Sequence, residues 1–107
     1  MSNVAMLPQV AAFIDRRHGC FIDGQWQFAD GPTIAVVDPA TGQTLCETLD
    51  APTELVERAV QSSHAAFKSG VWSGLRPADR ERILLNFTRL VEQHGEELAQ
   101  LETLEQG

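Results

Sequence analysis

The sequence predicts an α+β fold in which two small antiparallel hairpins are followed by amphipathic helices. Turn-forming residues divide short β-branched and aromatic runs within residues 20–49, and the hydrophobic period then changes from two to nearly four after Leu49. We therefore expect an N-terminal helical extension at residues 1–19, hairpins at 20–49 and helices at 51–107. A chain of 107 residues has room for one domain at most.

The extension is predicted to hold a short helix over residues 6–17. Val10, Phe13 and Ile14 recur at helical spacing, and Gly19 follows where such a helix would stop.

Two turn signals predict the hairpins. In "CFIDGQWQF" the Asp23-Gly24 dipeptide accepts the positive φ angles of a tight turn. In "TIAVVDPATGQTLCETL" Pro39 fixes one turn residue, Asp38 can bond the backbone ahead of it, and Gly42 permits the return. Both pairs of runs should therefore pair antiparallel.

Three helices are predicted after the hairpins. Residues 50–54 supply capping chemistry for the first, which should end near Gly70, and the second should start at Pro77. The third runs from Glu96. The apolar stripes are Val56, Ala59, Val60, Ser63 and Phe67; Ile83, Leu84, Phe87, Leu90 and Val91; and Leu98, Leu101 and Leu104.

Composition excludes several functions. A net charge of −7 with scattered basic residues disfavours nucleic-acid binding, and no apolar run approaches the ~20 residues of a membrane span. The N-terminal stretch has its arginines after its apolar residues, the reverse of a secretory signal, so a cytoplasmic location is expected.

No catalytic motif is visible in the sequence. The eight glycines form no phosphate-binding pattern, and the three histidines are too far apart for a zinc site. Cys20 and Cys46 are interpreted as small reduced hydrophobic residues, although basic neighbours could lower the pKa of Cys20. Acidic residues without basic partners follow Glu96, and solvent, a later lysine or a metal ion could offset them.

An ordered set of segments resembles the opening of the NAD(P)-dependent aldehyde dehydrogenase superfamily. The segments are "FIDGQW", "VVDPATGQTL", "ERAVQSSHAAF", "RPADRERILL" and "LVEQHGEELAQLETLEQG", and the resemblance covers residues 21–107. It implies the N-terminal part of an α/β dinucleotide-binding domain, truncated at Gly107 before the catalytic domain.

The resemblance also implies a chemistry. In this family a cysteine thiolate attacks an aldehyde, hydride passes to NAD or NADP, and water activated by a glutamate releases a carboxylic acid. The residues that match the catalytic Cys, Glu and Asn are expected beyond Gly107, so no catalytic or cofactor-binding residue is assigned here. The 107-residue chain alone is expected to be inactive.

One site of the family touches this segment. Many members bind a monovalent cation, K⁺ or Na⁺, through main-chain carbonyls before the Asn/Asp-Pro turn and through an acidic side chain near the end of a helix. The matching residues are Val36, Val37 and Glu105. Glu105 stands where Asp is more usual, and its side chain is one methylene longer.

Two functional hypotheses follow. In the first, the chain is part of an aldehyde dehydrogenase, with the remainder of that polypeptide and identical subunits as partners and a small aldehyde as substrate. In the second, it is a stand-alone binding or assembly module that uses its exposed apolar faces.

Overall fold

A computed structural model of the chain describes residues 5–107. Within this range the elements are α1 (Pro8–Asp15), β1 (Cys20–Ile22), β2 (Gln25–Gln27), β3 (Thr33–Val37), β4 (Thr44–Leu49), α2 (Thr53–Ser69), α3 (Pro77–Gln93) and α4 (Gly95–Gln106). The α+β order predicted from the sequence, hairpins followed by helices, is confirmed. Residues 1–4 of the predicted extension lie outside the described residues.

The first hairpin joins β1 to β2, with Phe21 opposite Trp26. Asp23 and Gly24 form its turn with φ angles of 51° and 75°, as their sequence predicts. The rings of Phe21 and Trp26 meet edge to face at 5.2 Å, which adds a cross-strand contact to a very short ladder.

The second hairpin joins β3 to β4 through a turn organised by Asp38. Its backbone N–H donates to the carbonyl of Gln43 at 2.9 Å, and its Oδ1 accepts from the N–H of Ala40 at 2.8 Å. Gly42 has a φ of 73° and donates its N–H to the carbonyl of Asp38. The side chain of Asp38 is therefore used inside the turn, which explains how a carboxylate is tolerated when almost fully buried.

The helices begin and end close to the predicted positions. α2 ends at Gly70, whose φ of 71° is left-handed, and α3 starts with Pro77 in its first turn. The predicted capping of α2 is wrong in detail: Pro52 is the N-cap, and no side chain caps it. α1 is shorter than predicted because Arg16 is extended and stacks between the rings of Phe13 and Trp26.

Burial is concentrated where α1 and α2 meet the hairpins. α1 packs against both β4 and α4, and α2 packs against β1. Among residues 5–107 the buried apolar side chains are Val10, Ile22 and Leu55. α3 buries none of its residues, and the predicted stripes of α2 and α3 are largely exposed to solvent.

Candidate functional site

Val36 and Val37 lie at the end of β3, immediately before the Asp38 turn. Val36 pairs with Cys46, whereas Val37 pairs with Thr44, so the ladder slips by one residue between them. Such a bulge changes the direction of the backbone groups around it, and bulges are common beside binding sites. The sequence pattern predicts the turn, but it contains no signal for the slip.

Glu105 lies in the last turn of α4, on the exposed side of the helix end. Burial and, secondarily, the negative charge of Glu105 raise the pKa of the Cys46 thiol above its usual value. Cys46 lies directly across the ladder from Val36. The end of α4 is therefore close enough to the β3–β4 hairpin for its carboxylate to act on the residue opposite Val36.

A second contact joins the same two elements. A Cβ at Gly107 would lie 3.1 Å from Cγ of Pro39 and 3.9 Å from the backbone nitrogen of Ala40. Gly107 has a φ of 93° and donates its N–H to the carbonyl of Thr103, which closes the helix end. The three residues predicted for a cation site thus lie in one region, bounded by the Asp38 turn and the C-terminus of α4.

The electrostatics of α4 are uneven along its length. Glu96 and Glu97 lie in the first turn, where the helix dipole favours acid, and the Nδ1 of His94 is 3.0 Å from the Oε1 of Glu97. The last turn contains no basic residue, and none of the ion pairs within residues 5–107 includes Glu105. Towards the C-terminus of α4, the acidic side chains without an ion pair among residues 5–107 are therefore Glu102 and Glu105.

Cys46 also lies in this region, although the sequence does not assign it to the predicted cation site. The slip between Val36 and Val37 places Cys46 across from Val36, whereas a ladder continued from the Val37–Thr44 pair without the slip would place Leu45 there. A raised pKa lowers the thiolate fraction at neutral pH, which is the opposite of what a nucleophilic cysteine needs.

Cys20 is not supported as a nucleophile by its basic neighbours. Arg16 lies 4.2 Å and 4.6 Å from the ring centres of Phe13 and Trp26, and Arg17 lies 5.0 Å from that of Phe28. Both guanidinium groups are engaged with aromatic rings. Residues 5–107 also hold no cluster of three or more His, Cys, Asp or Glu side chains suited to a metal ion.

The architecture is that of a helix-and-hairpin segment whose helices leave broad apolar faces open, as in the outer part of a larger α/β domain. Residues 26–107 match the model of the aldehyde dehydrogenase family. The chain belongs to this family.

Individual relatives agree with this assignment. Phenylacetaldehyde dehydrogenase of Pseudomonas fluorescens is 46% identical over 91 residues, which are 84% of this chain and 18% of the relative. Aminoacetaldehyde dehydrogenase of Pseudomonas aeruginosa is 39% identical over 99 residues, 92% of this chain and 20% of the relative.

A solved structure also resembles the chain. A variant of an aldehyde dehydrogenase from Bacillus cereus matches with a TM-score of 0.87 and 36% identity, over 96% of this chain and 21% of that one. The chain thus spans about a fifth of the length of these relatives. Among residues 5–107, every helix is too short or too polar to span a lipid bilayer.

Proposed function

We propose that this chain is the N-terminal part of an NAD- or NADP-dependent aldehyde dehydrogenase that oxidises an aldehyde to a carboxylic acid. The match of residues 26–107 to the family carries the proposal. The likeness to a solved aldehyde dehydrogenase over 96% of the chain supports the same position within the polypeptide. The alternative of a stand-alone binding module has no support from the relatives.

In this reaction a cysteine thiolate adds to the aldehyde carbon and forms a thiohemiacetal. NAD or NADP, when bound, would supply the hydride acceptor for oxidation to the thioester, and a glutamate would activate the water that releases the acid. These roles are assigned to the rest of the polypeptide. The chain's own glycines form no dinucleotide cradle, and the raised pKa of Cys46 does not suit a nucleophile.

The contribution of this segment is structural. Its exposed apolar faces on α2 and α3 supply surface for the remainder of the polypeptide, and the family's oligomers would extend this assembly to identical subunits. Two free cysteines, Cys20 and Cys46, are typical of a reducing compartment and support a cytoplasmic location.

Activity measurements test the proposal. The full-length polypeptide should reduce NAD or NADP when given an aldehyde, and phenylacetaldehyde and aminoacetaldehyde are the first substrates to try because relatives carry those names. The 107-residue chain, purified under the same conditions, should show no turnover. Turnover by the short chain, or none by the long one with any aldehyde, would contradict the proposal.

We also propose that Val36, Val37 and Glu105 provide oxygen ligands for a monovalent cation, K⁺ or Na⁺, in the complete protein. Main-chain carbonyls and a carboxylate are hard donors, the type that hard cations prefer. The hairpin end and the α4 C-terminus lie together, and Glu105 has no ion-pair partner among residues 5–107. A cation would offset the carboxylate at the unfavourable end of the helix dipole.

The cation proposal predicts a salt-specific change in stability. The full-length protein should have a higher Tm in KCl or NaCl than in choline chloride of equal ionic strength, because a ligand that binds the folded state stabilises it. Glu105→Gln should abolish the difference, whereas Glu105→Asp and the control Glu102→Gln should retain it. Equal Tm values in all three salts, or loss of the difference with Glu102→Gln, would refute this site.

A further inference from the structure

The segment of residues 5–19 is attached to two separate elements of the molecule. Val10, on α1, has an exposed fraction of 1% and is the most completely buried large side chain in residues 5–107. α1 packs against both α4 and β4. The segment therefore contacts a helix and a hairpin that are distant from it along the chain.

Gln100 of α4 fastens the start of this segment. Its Oε1 accepts the backbone N–H of Leu7 at 2.8 Å, and its Nε2 donates to the carbonyl of Ala5 at 3.3 Å. These bonds connect residues 93 and 95 positions apart in the chain. The carboxamide thus pairs with a carbonyl and an N–H two residues apart, as a neighbouring β-strand would.

A side-chain amide is well suited to make this pair of bonds from a single planar group. Glutamine and asparagine offer one acceptor and one donor side by side, whereas a carboxylate only accepts and an ammonium only donates. Asparagine is one methylene shorter. Nothing in the sequence marks Gln100, because glutamine on a helix is normally an ordinary surface residue.

The far end of the segment is fastened to the other element. The backbone N–H of Leu49 donates to the carbonyl of His18 at 3.2 Å, and His18 forms a parallel bridge with Thr48 of β4. At the next residue, a side chain at Gly19 would collide with the carbonyl of Gln27 and the ring of Phe28. The segment consequently enters the β-structure at one fixed position.

We propose that residues 5–19 form a strap that holds α4 against the β3–β4 hairpin, with Gln100 as the positioning residue that fastens it. The strap is anchored to α4 at residues 5–7, wedged by Val10 and anchored to β4 at His18. This inference does not depend on the enzymatic activity or on the cation. It assigns a role to residues that precede the segment matched by the family model.

Hydrogen exchange of backbone amides, followed by mass spectrometry on the full-length polypeptide, tests the strap. Gln100→Ala removes both bonds, so exchange at residues 5–11 should rise by about 5- to 30-fold, the range expected for one to two lost hydrogen bonds. Exchange in the last turns of α4 and in β4 should rise as well, because both lose their common anchor. Gln100→Glu keeps an acceptor for Leu7 and should give a smaller change in the same peptides.

Two further variants make the result decisive. Gln93→Ala is the matched control, an exposed helical glutamine at the end of α3, and it should leave all these peptides unchanged. Val10→Ala removes the wedge without touching the bonds of Gln100, and it should also increase exchange in β4 and in α4 together. An effect of Gln100→Ala confined to residues 5–7, or an effect equal to that of Gln93→Ala, would overturn the proposal.

Discussion

Two regions of this molecule differ in how far their apolar side chains are covered. On the side of α1, α4 and the β3–β4 hairpin, side chains from distant parts of the chain meet, and Val10 is almost completely buried. On the side of α2 and α3, the apolar stripes run along well-formed helices without cover. Phe67 and Phe87 expose 74% and 63% of their surface.

This comparison shows that a helix can be defined by its local sequence while its burial depends on other parts of the protein. α2 and α3 each have 17 residues, ordered starts and, in α2, a left-handed glycine at the end, so local sequence defines them. Their burial depends on a surface that residues 5–107 do not provide. In proteins, most of the stability of a helix comes from tertiary packing of its apolar face rather than from helix propensity.

Phe87 gives the largest expected contrast between the isolated chain and the complete protein. In the full-length polypeptide Phe87→Ala should lower the free energy of unfolding by about 3–5 kcal/mol, because a covered aromatic ring leaves a cavity when truncated. In the 107-residue chain the same change should stay within about 0.5 kcal/mol, since the ring is mostly exposed.

Chemical denaturation of both polypeptides, each with and without the substitution, measures this contrast. Glu92→Ala, on the same helix and exposed, serves as the control and should have a small effect in both contexts. If Phe87→Ala costs equally little in the full-length protein, the α3 stripe remains uncovered there. The proposed packing role of this segment would then be wrong.

Local signals account for most of the predicted fold. The Asp23-Gly24 and Asp38–Gly42 turns, the end of α2 at Gly70 and the start of α3 at Pro77 are confirmed, because each depends on the φ preferences of nearby residues. The shorter α1 could not be predicted in this way. Its end depends on Arg16, whose guanidinium stacks on Trp26 of a later strand.

The candidate site shows the same limit. The resemblance supplied Val36, Val37 and Glu105, but it did not supply Cys46, whose place across from Val36 depends on the register slip. The bulge beside Val37 and the two bonds of Gln100 could not be foreseen, since they arise where elements far apart in sequence meet. Periodicity describes one element at a time, whereas these contacts depend on how two elements are placed relative to each other.

The smallest expected effect is a change in the pKa of the Cys46 thiol, which tests whether the end of α4 lies close to the β3–β4 hairpin. Burial, followed by the charge of Glu105, raises the pKa of Cys46 above its ordinary value of 9.0. The folded state therefore keeps the thiol proton to higher pH than the unfolded state does. This contribution to stability is complete below the ordinary pKa and is lost as pH rises through the folded-state pKa.

Glu105→Gln should lower the pKa of Cys46 by removing the nearby negative charge, so the thiolate fraction at mildly alkaline pH should increase. The rate of alkylation against pH measures this shift in the 107-residue chain carrying Cys20→Ser, where Cys46 is the one remaining cysteine. Because burial is the larger cause, the pKa should fall only part of the way towards its ordinary value.

Glu102→Gln tests whether the shift is specific to Glu105 or follows from any lost charge on α4. An unchanged alkylation profile in Glu105→Gln would mean that the end of α4 lies farther from the hairpin than the structure places it, and the common region of Val36, Val37 and Glu105 would be lost with it.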